Sequence, residues 1–148
     1  MADIEHLHFK IGLASTYWKK VPIYSILLND EIIETQEIST PSGETFFVEF
    51  NREVVEGPNV LKIRLENKDW TDTIENEDKT AIIKDILLNI KNIEIEKINL
   101  GELIWKKSIF TGDDPDRPVL DQCVDLGWNG TWELKLESPF YIWLLENI

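Results

Sequence analysis

Cysteine is almost missing. Cys123 stands alone in 148 residues, which excludes an internal disulfide framework and suits synthesis in a reducing cytosol. Positive charge is also scarce: 15 Lys and Arg stand against 28 Asp and Glu, for a net charge of -13. A nucleic-acid binder needs a basic stripe to displace counter-ions, and docking on an anionic membrane needs the same sign, so both partners are excluded. No apolar run approaches the ~18–20 residues of a membrane span. The start, Met1-Ala2-Asp3-Ile4-Glu5-His6, lacks the cationic and then apolar order of a signal peptide. Alanine, the best helix former, occurs three times.

What is present points the other way. Isoleucine occurs 20 times, beside six Trp and six Phe. Branched and aromatic side chains fit a pleated surface, so the composition favours an all-β fold and excludes disorder. The length suits one domain able to bury roughly 68–70% of its unfolded surface.

Period-two alternation locates the strands. Leu7, Phe9 and Ile11 alternate with His6, His8 and Lys10. Residues 21–28 form a second strand, and Asn29-Asp30 turns it into a third over 31–38. Residues 44–50 follow, then a turn at Glu56-Gly57-Pro58-Asn59 and a strand carrying Leu61, Ile63 and Leu65. Residues 81–90 read as one long apolar strand, with Asn92 marking a bend before Ile93 and Ile95, and 103–110 as an aromatic strand. Asn129-Gly130 suits a hairpin turn into 131–137, where Trp132, Leu134 and Leu136 share a face. Ser138 as N-cap and Pro139 as first helical residue start a short C-terminal helix. The expected fold is an all-β, antiparallel β-sandwich of jelly-roll type over residues 1–137, with an aromatic helical segment over 138–148.

Two acidic loops are candidate sites. The first, 67–80, holds five carboxylates between Asp69 and Asp78, and Asp85 follows. Calcium takes six to eight oxygens from such groups, so Asn67, Asp69, Asp72, Asp78 and Asp85 are the candidate calcium ligands. The second is Asp113-Asp114-Pro115-Asp116-Arg117, where Arg117 is placed to neutralise a carboxylate. Trp18, Trp70 and Trp128 lie in or near loops and are candidates for stacking on sugar rings. Trp105, Trp132 and Trp143 lie in periodic segments that suit a core or an interface. His6 and His8 share a face at a zinc-compatible spacing, but no further Cys or His completes a site. No nucleophile elbow, P-loop or dinucleotide glycine pattern occurs, and Cys123 has no partner base in sequence, so no catalytic residue is assigned.

Two resemblances arise from these pieces. The run from Asn59 to Lys68, the acidic loop and Ile82-Ile83-Lys84-Asp85-Ile86 resemble the core of calcium-dependent xylan-binding modules, in which calcium contacts sugar hydroxyls. That resemblance implies roles for Asn67, Asp72, Asp78 and Asp85, although Asp78-Lys79-Thr80 stands where those modules carry Asp-Arg-Asn. The whole chain resembles small structural proteins of tailed bacteriophages. The most distinctive pieces are Gly127-Trp128-Asn129-Gly130-Thr131-Trp132 and the end from Ser138. This implies a non-enzymatic virion component, made in the host cytoplasm and acting as capsid decoration, neck or tail fibre. Its partners would be other virion proteins and copies of itself, through Phe140, Tyr141, Trp143 and Leu144. The other expectation is a calcium-dependent module holding polysaccharide for surface adhesion. Whether the aromatic end packs on its own chain or on a neighbour stays open at this level.

Overall fold

Alternation of buried and exposed side chains carries most of this chain into strands. A computed structural model describes residues 3–148. The strands are β1 (Ile4–Thr16), β2 (Ile23–Leu28), β3 (Glu31–Glu37), β4 (Phe46–Val55), β5 (Gly57–Leu65), β6 (Ile74–Glu75), β7 (Ile82–Lys84), β8 (Leu87–Ile95), β9 (Ile98–Asn99), β10 (Ser108–Gly112), β11 (Leu120–Asp121), β12 (Asp125–Leu126) and β13 (Gly130–Ser138). Two helices, α1 (Leu103–Lys106) and α2 (Phe140–Asn147), complete the elements with a 3-10 turn at Trp70–Asp72.

Two antiparallel sheets face each other. One runs β12-β8-β1-β4, with β9 on β8, and the other runs β11-β10-β13-β5-β2-β3. The expected all-β sandwich with a short C-terminal helix is therefore the fold. Leu7, Phe9, Ile11 and Leu13 of β1 and Leu88, Ile90, Ile93 and Ile95 of β8 are buried in the same cluster as Leu61, Ile63 and Leu65 of β5 and Trp132, Leu134 and Leu136 of β13. At roughly 25 cal/mol per Å2 of apolar area removed from water, this cluster is the main stabilising term. Trp132 is fully buried and its indole N–H donates to the Cys123 carbonyl at 2.8 Å, so its polar edge is satisfied. The bend expected near Asn92 is a bulge in the β1–β8 pairing. Gly12 faces Asn92 and Leu13 faces Ile90, so Lys91 is extra. One extra residue flips the alternation and keeps both Ile90 and Ile93 inward.

Several expectations need correction. Residues 81–90 are not one strand: β7 is wholly exposed, and Asp85 and Ile86 separate it from β8. The apolar run misleads because Ile82 and Ile83, each 60% exposed, lie in a small β6–β7 hairpin outside both sheets. Residues 103–110 are not one strand either. Leu103–Lys106 form a helical turn that buries Leu103 and Ile104 and leaves Trp105 exposed, and only then does β10 start. The turn before β5 is tighter than four residues, because Gly57 takes a φ of 106° that only glycine accepts readily and is already paired with Ser138. Trp128-Asn129-Gly130-Thr131 is not a hairpin turn, since β12 and β13 belong to different sheets. Gly130 is needed there for space: a Cβ would clash with the Thr111 carbonyl oxygen. Asn29 and Asp30, with φ of 50° and 66°, form the expected β2–β3 turn.

The C-terminal segment packs on its own chain. Phe140, Trp143 and Leu144 are buried in the shared core, while Tyr141 is half exposed. Of the four residues expected as an interface, Phe140, Trp143 and Leu144 are thus buried in their own chain, the first of the two packings that the sequence left open. Ser138 does not cap α2, because its hydroxyl donates to the Glu5 carboxylate at 2.7 Å. The same carboxylate accepts from the Phe140 N–H at 3.0 Å, so Glu5 of β1 serves as the cap from a distance. Among the described residues no helix is long and apolar enough to cross a membrane.

Candidate functional site

The two acidic loops meet at one end of the sandwich. The 67–85 segment leaves β5 and returns to β8, and the 113–117 segment leaves β10. Between them lies an open groove of about 750 Å3, lined by Lys68, Asp69, Trp70, Thr73, Glu75, Ile82, Asp85, Asp113, Asp114, Arg117, Gly127, Trp128 and Asn129. Two of the three expected stacking tryptophans are on its wall.

Trp70 is the most exposed large apolar side chain there, at 88%. It is held up by the 3-10 turn. The Asp69 carboxylate accepts from the Thr71 N–H at 2.8 Å, and the Asp72 carboxylate accepts from the Asp69 N–H at 2.8 Å. These reciprocal bonds satisfy the donors that a short turn leaves open. Trp128 is a half-buried wall residue, packed at 5.6 Å on the Phe110 ring and covered by the Arg117 guanidinium at 4.5 Å from its ring centre. Arg117 therefore stacks on an aromatic face rather than neutralising a loop carboxylate as the sequence suggests. Trp18 is outside the groove. Its indole N–H donates to the Asp72 carbonyl at 2.8 Å, and the Lys84 ammonium lies over its ring at 4.8 Å. It pins the 3-10 turn and is not a free platform.

The 113–117 loop is tied down by Arg64. Its guanidinium donates to Asp113 and to Glu66, each at 2.7 Å, and to the Thr131 hydroxyl. Asn129 ties the other loop: Lys68 N–H donates to its Oδ1 and its Nδ2 donates to the Lys68 carbonyl, both at 2.8 Å. Residues 61 positions apart are thus paired like adjacent strands, and the groove is fixed on both sides.

The five expected calcium ligands are not brought together. Asn67 is used by the neighbouring segment, accepting from the Ile23 N–H at 2.8 Å. Asp78 is exposed at the hairpin tip, where the Thr80 hydroxyl bond at 2.7 Å holds its carboxyl below the usual value. Asp69 and Asp72 share the Lys20 ammonium, at 3.0 and 2.8 Å. Asp72 is fully buried and its other oxygen faces Lys19 at 3.0 Å, in Coulombic contact but without hydrogen-bond alignment. Asp85 takes the Lys68 ammonium at 2.6 Å, the Thr73 hydroxyl at 2.7 Å and the Ile86 N–H at 2.8 Å on a single oxygen. Among the described residues no three His, Cys, Asp or Glu side chains converge as a metal cluster. His6 and His8 face Glu53 and Glu49 of β4, each at 3.5 Å, rather than a shared ion.

Sequence reasoning missed the lysines. The adjacent pair Lys19-Lys20 beside Trp18, in so acidic a chain, was the available signal. Burial is the largest single influence and would raise the Asp72 and Asp85 pKa values, but the bonds to Asp72 from Lys20, the Asp69 N–H and Lys19, and to Asp85 from Lys68, the Thr73 hydroxyl and the Ile86 N–H, together outweigh it and hold both below 3.8. A carboxylate with a depressed folded-state pKa stabilises the fold above its ordinary pKa and loses that contribution as pH falls through the folded value. Melting temperature should therefore stay level near neutral pH and drop once the pH goes below about 4. Asp72→Asn should flatten that acid limb in a pH series of thermal melts, and an unchanged limb would count against the pairing.

No family model and no curated protein matches the chain. Two solved structures do. One is vCBM60 in complex with galactobiose, at a TM-score of 0.52 and 8% identity over 86% of this chain and 96% of that one. The other is a selenomethionine form of vCBM60, described as linking two families of calcium-dependent carbohydrate-binding modules by circular permutation. It matches at a TM-score of 0.53 and 9% identity, over 86% of this chain and 89% of that one. These likenesses give no support to the phage resemblance, and at such identities they establish one thing: this chain folds as the antiparallel β-sandwich seen in those carbohydrate-binding modules.

Proposed function

We propose that this chain is a non-catalytic carbohydrate-binding module that takes a neutral glycan in the groove between the 67–85 and 113–117 segments. The observation that carries the reading is Trp70, 88% exposed on a braced turn at the wall of a groove of about 750 Å3. An indole presents a flat apolar face to the C–H face of a pyranose, while carboxylates and amides around it accept and donate to hydroxyls. Asp113, Asp114, Glu75 and Asn129 supply such polar groups on the wall. The fold shared with the galactobiose-bound module supports the same reading.

Charge narrows the ligand. Five carboxylates and two cations line the groove, so it repels uronic-acid and sulfated polymers. A virion role keeps one observation, the exposed apolar outer face of α2 formed by Tyr141, Ile142, Leu145 and Ile148. The groove geometry favours the glycan.

The test is affinity electrophoresis of the full chain through gels carrying neutral galactans, xylans or glucans, with polygalacturonate as the anionic control. At least one neutral polymer should retard the protein and polygalacturonate should not. Trp70→Ala should weaken retention about tenfold or more, the range of an aromatic anchor, while its melting temperature stays near the parent's because the ring is exposed. Equal retention of parent and variant on every neutral polymer, or none by the parent, would end this reading.

A further inference from the structure

We infer that lysine side chains of this chain occupy the electrostatic role of a divalent cation at the groove, so that neither its fold nor its ligand binding depends on calcium. The matched structures include a module described as belonging with calcium-dependent families. Here three carboxylates of the 67–85 segment, Asp69, Asp72 and Asp85, are already neutralised from within.

The geometry is specific. The Lys20 ammonium lies between Asp69 Oδ2 at 3.0 Å and Asp72 Oδ2 at 2.8 Å. Lys19 faces the second Asp72 oxygen at 3.0 Å and donates to the Thr71 hydroxyl. Asp72 has no solvent exposure, so a calcium ion could reach it only by displacing both ammonium groups. Lys68, whose side chain is 8% exposed, donates to Asp85 and to the Gly127 carbonyl. An ammonium has three donors in a rough cone, and Lys68 spends two of them on the kinds of oxygen that calcium ligates, a carboxylate and a main-chain carbonyl. The three cations come from two places, the 17–22 linker and the loop just after β5, and neutralise both ends of the acidic segment.

A fixed internal cation differs from calcium in consequence. It adds no concentration dependence to stability, whereas a metal stabilises by mass action. It also presents no open coordination position, so sugar hydroxyls must be held by side chains and Trp70. This last point rests on the glycan reading, and the point about folding does not.

The experiment is a thermal melt of the full chain, without glycan, in excess EDTA and in excess calcium. The two melting temperatures should coincide. A calcium-dependent rise of about 5 °C or more, the size expected from a hundredfold excess over the dissociation constant, would overturn the inference. Lys20→Met should lower the melting temperature by about 5 °C or more, with Lys20→Arg recovering much of the loss. A Lys20→Met chain that melts with the parent would overturn the role given to Lys20. On gels of a retaining polysaccharide, EDTA should leave retention unchanged, and loss of retention in EDTA would overturn calcium-free binding. Because the melts contain no glycan, they read the ion question even if no polysaccharide is retained.

Discussion

A chain ending at Glu137 should fail to fold. The deletion removes Phe140, Trp143 and Leu144, which are 0, 6 and 7% exposed and belong to the central hydrophobic cluster. Single truncations of such side chains to alanine typically cost about 2–5 kcal/mol each. Even allowing for non-additivity among neighbours, losing three matches the whole stability of a typical domain, about 5–15 kcal/mol. The deletion also strips Glu5 of the Ser138 hydroxyl and Phe140 N–H that it binds, and uncovers β13 beneath the helix. Near-UV circular dichroism and a thermal melt decide the matter: the expected result is no cooperative transition. A shortened chain with a parental melt would show that α2 is an ornament. Trp143→Ala, at about 3–5 kcal/mol, tests the same packing within a chain that still folds. For the same reason, lost assembly of a truncated chain would be no evidence that this segment docks on a neighbour.

Asp85→Ala should destabilise the fold by about 3–5 kcal/mol, although Asp85 lies in a loop. Its carboxylate is the counter-ion of Lys68, and the two side chains are 17 and 8% exposed. Removing it leaves an ammonium in a mostly dry site with only the Gly127 carbonyl, and leaves the Thr73 hydroxyl and Ile86 N–H without their acceptor. In a chain of this length the melting temperature should fall by roughly 10 °C. The double variant Lys68→Met with Asp85→Leu should recover the share due to the unpaired ammonium but not that of the Thr73 hydroxyl and Ile86 N–H, which still lack an acceptor. A small shift for Asp85→Ala, within about 0.5 kcal/mol, would contradict the buried pair. Loss of glycan retention by Asp85→Ala would thus reflect a damaged loop rather than a missing metal ligand. Trp70 is the better probe, because its removal leaves the scaffold intact.

Much of the scaffold was legible in single residues. The alternation at Leu61, Ile63 and Leu65, or at Trp132, Leu134 and Leu136, is a local signal with a local cause: successive side chains leave a strand on opposite faces. Asn29-Asp30 was legible because a two-residue turn selects for residues that tolerate positive φ. The same logic misled at Asn129-Gly130, where Gly130 serves a close approach to Thr111 and Asn129 binds Lys68 across the site. It misled again at Ile82 and Ile83, whose apolar character is real but is spent on an exposed hairpin.

The sequence by itself determined the all-β class, the buried faces of β1, β5 and β13 and the chemical character of both loops. Those depend on composition and on spacings of two residues. The tertiary structure alone decided what the loops are. It placed Asp113 and Asp114 on the same groove as Trp70, raised Trp70 into solvent while tying Trp18 to Asp72, and folded the aromatic end onto its own core. It also carried Lys20 to Asp69 and Asp72, about fifty positions away, turning apparent metal ligands into ion-paired groups. Such pairings are set by strand order and sheet packing, which bring together segments far apart in the chain, and no short spacing encodes them.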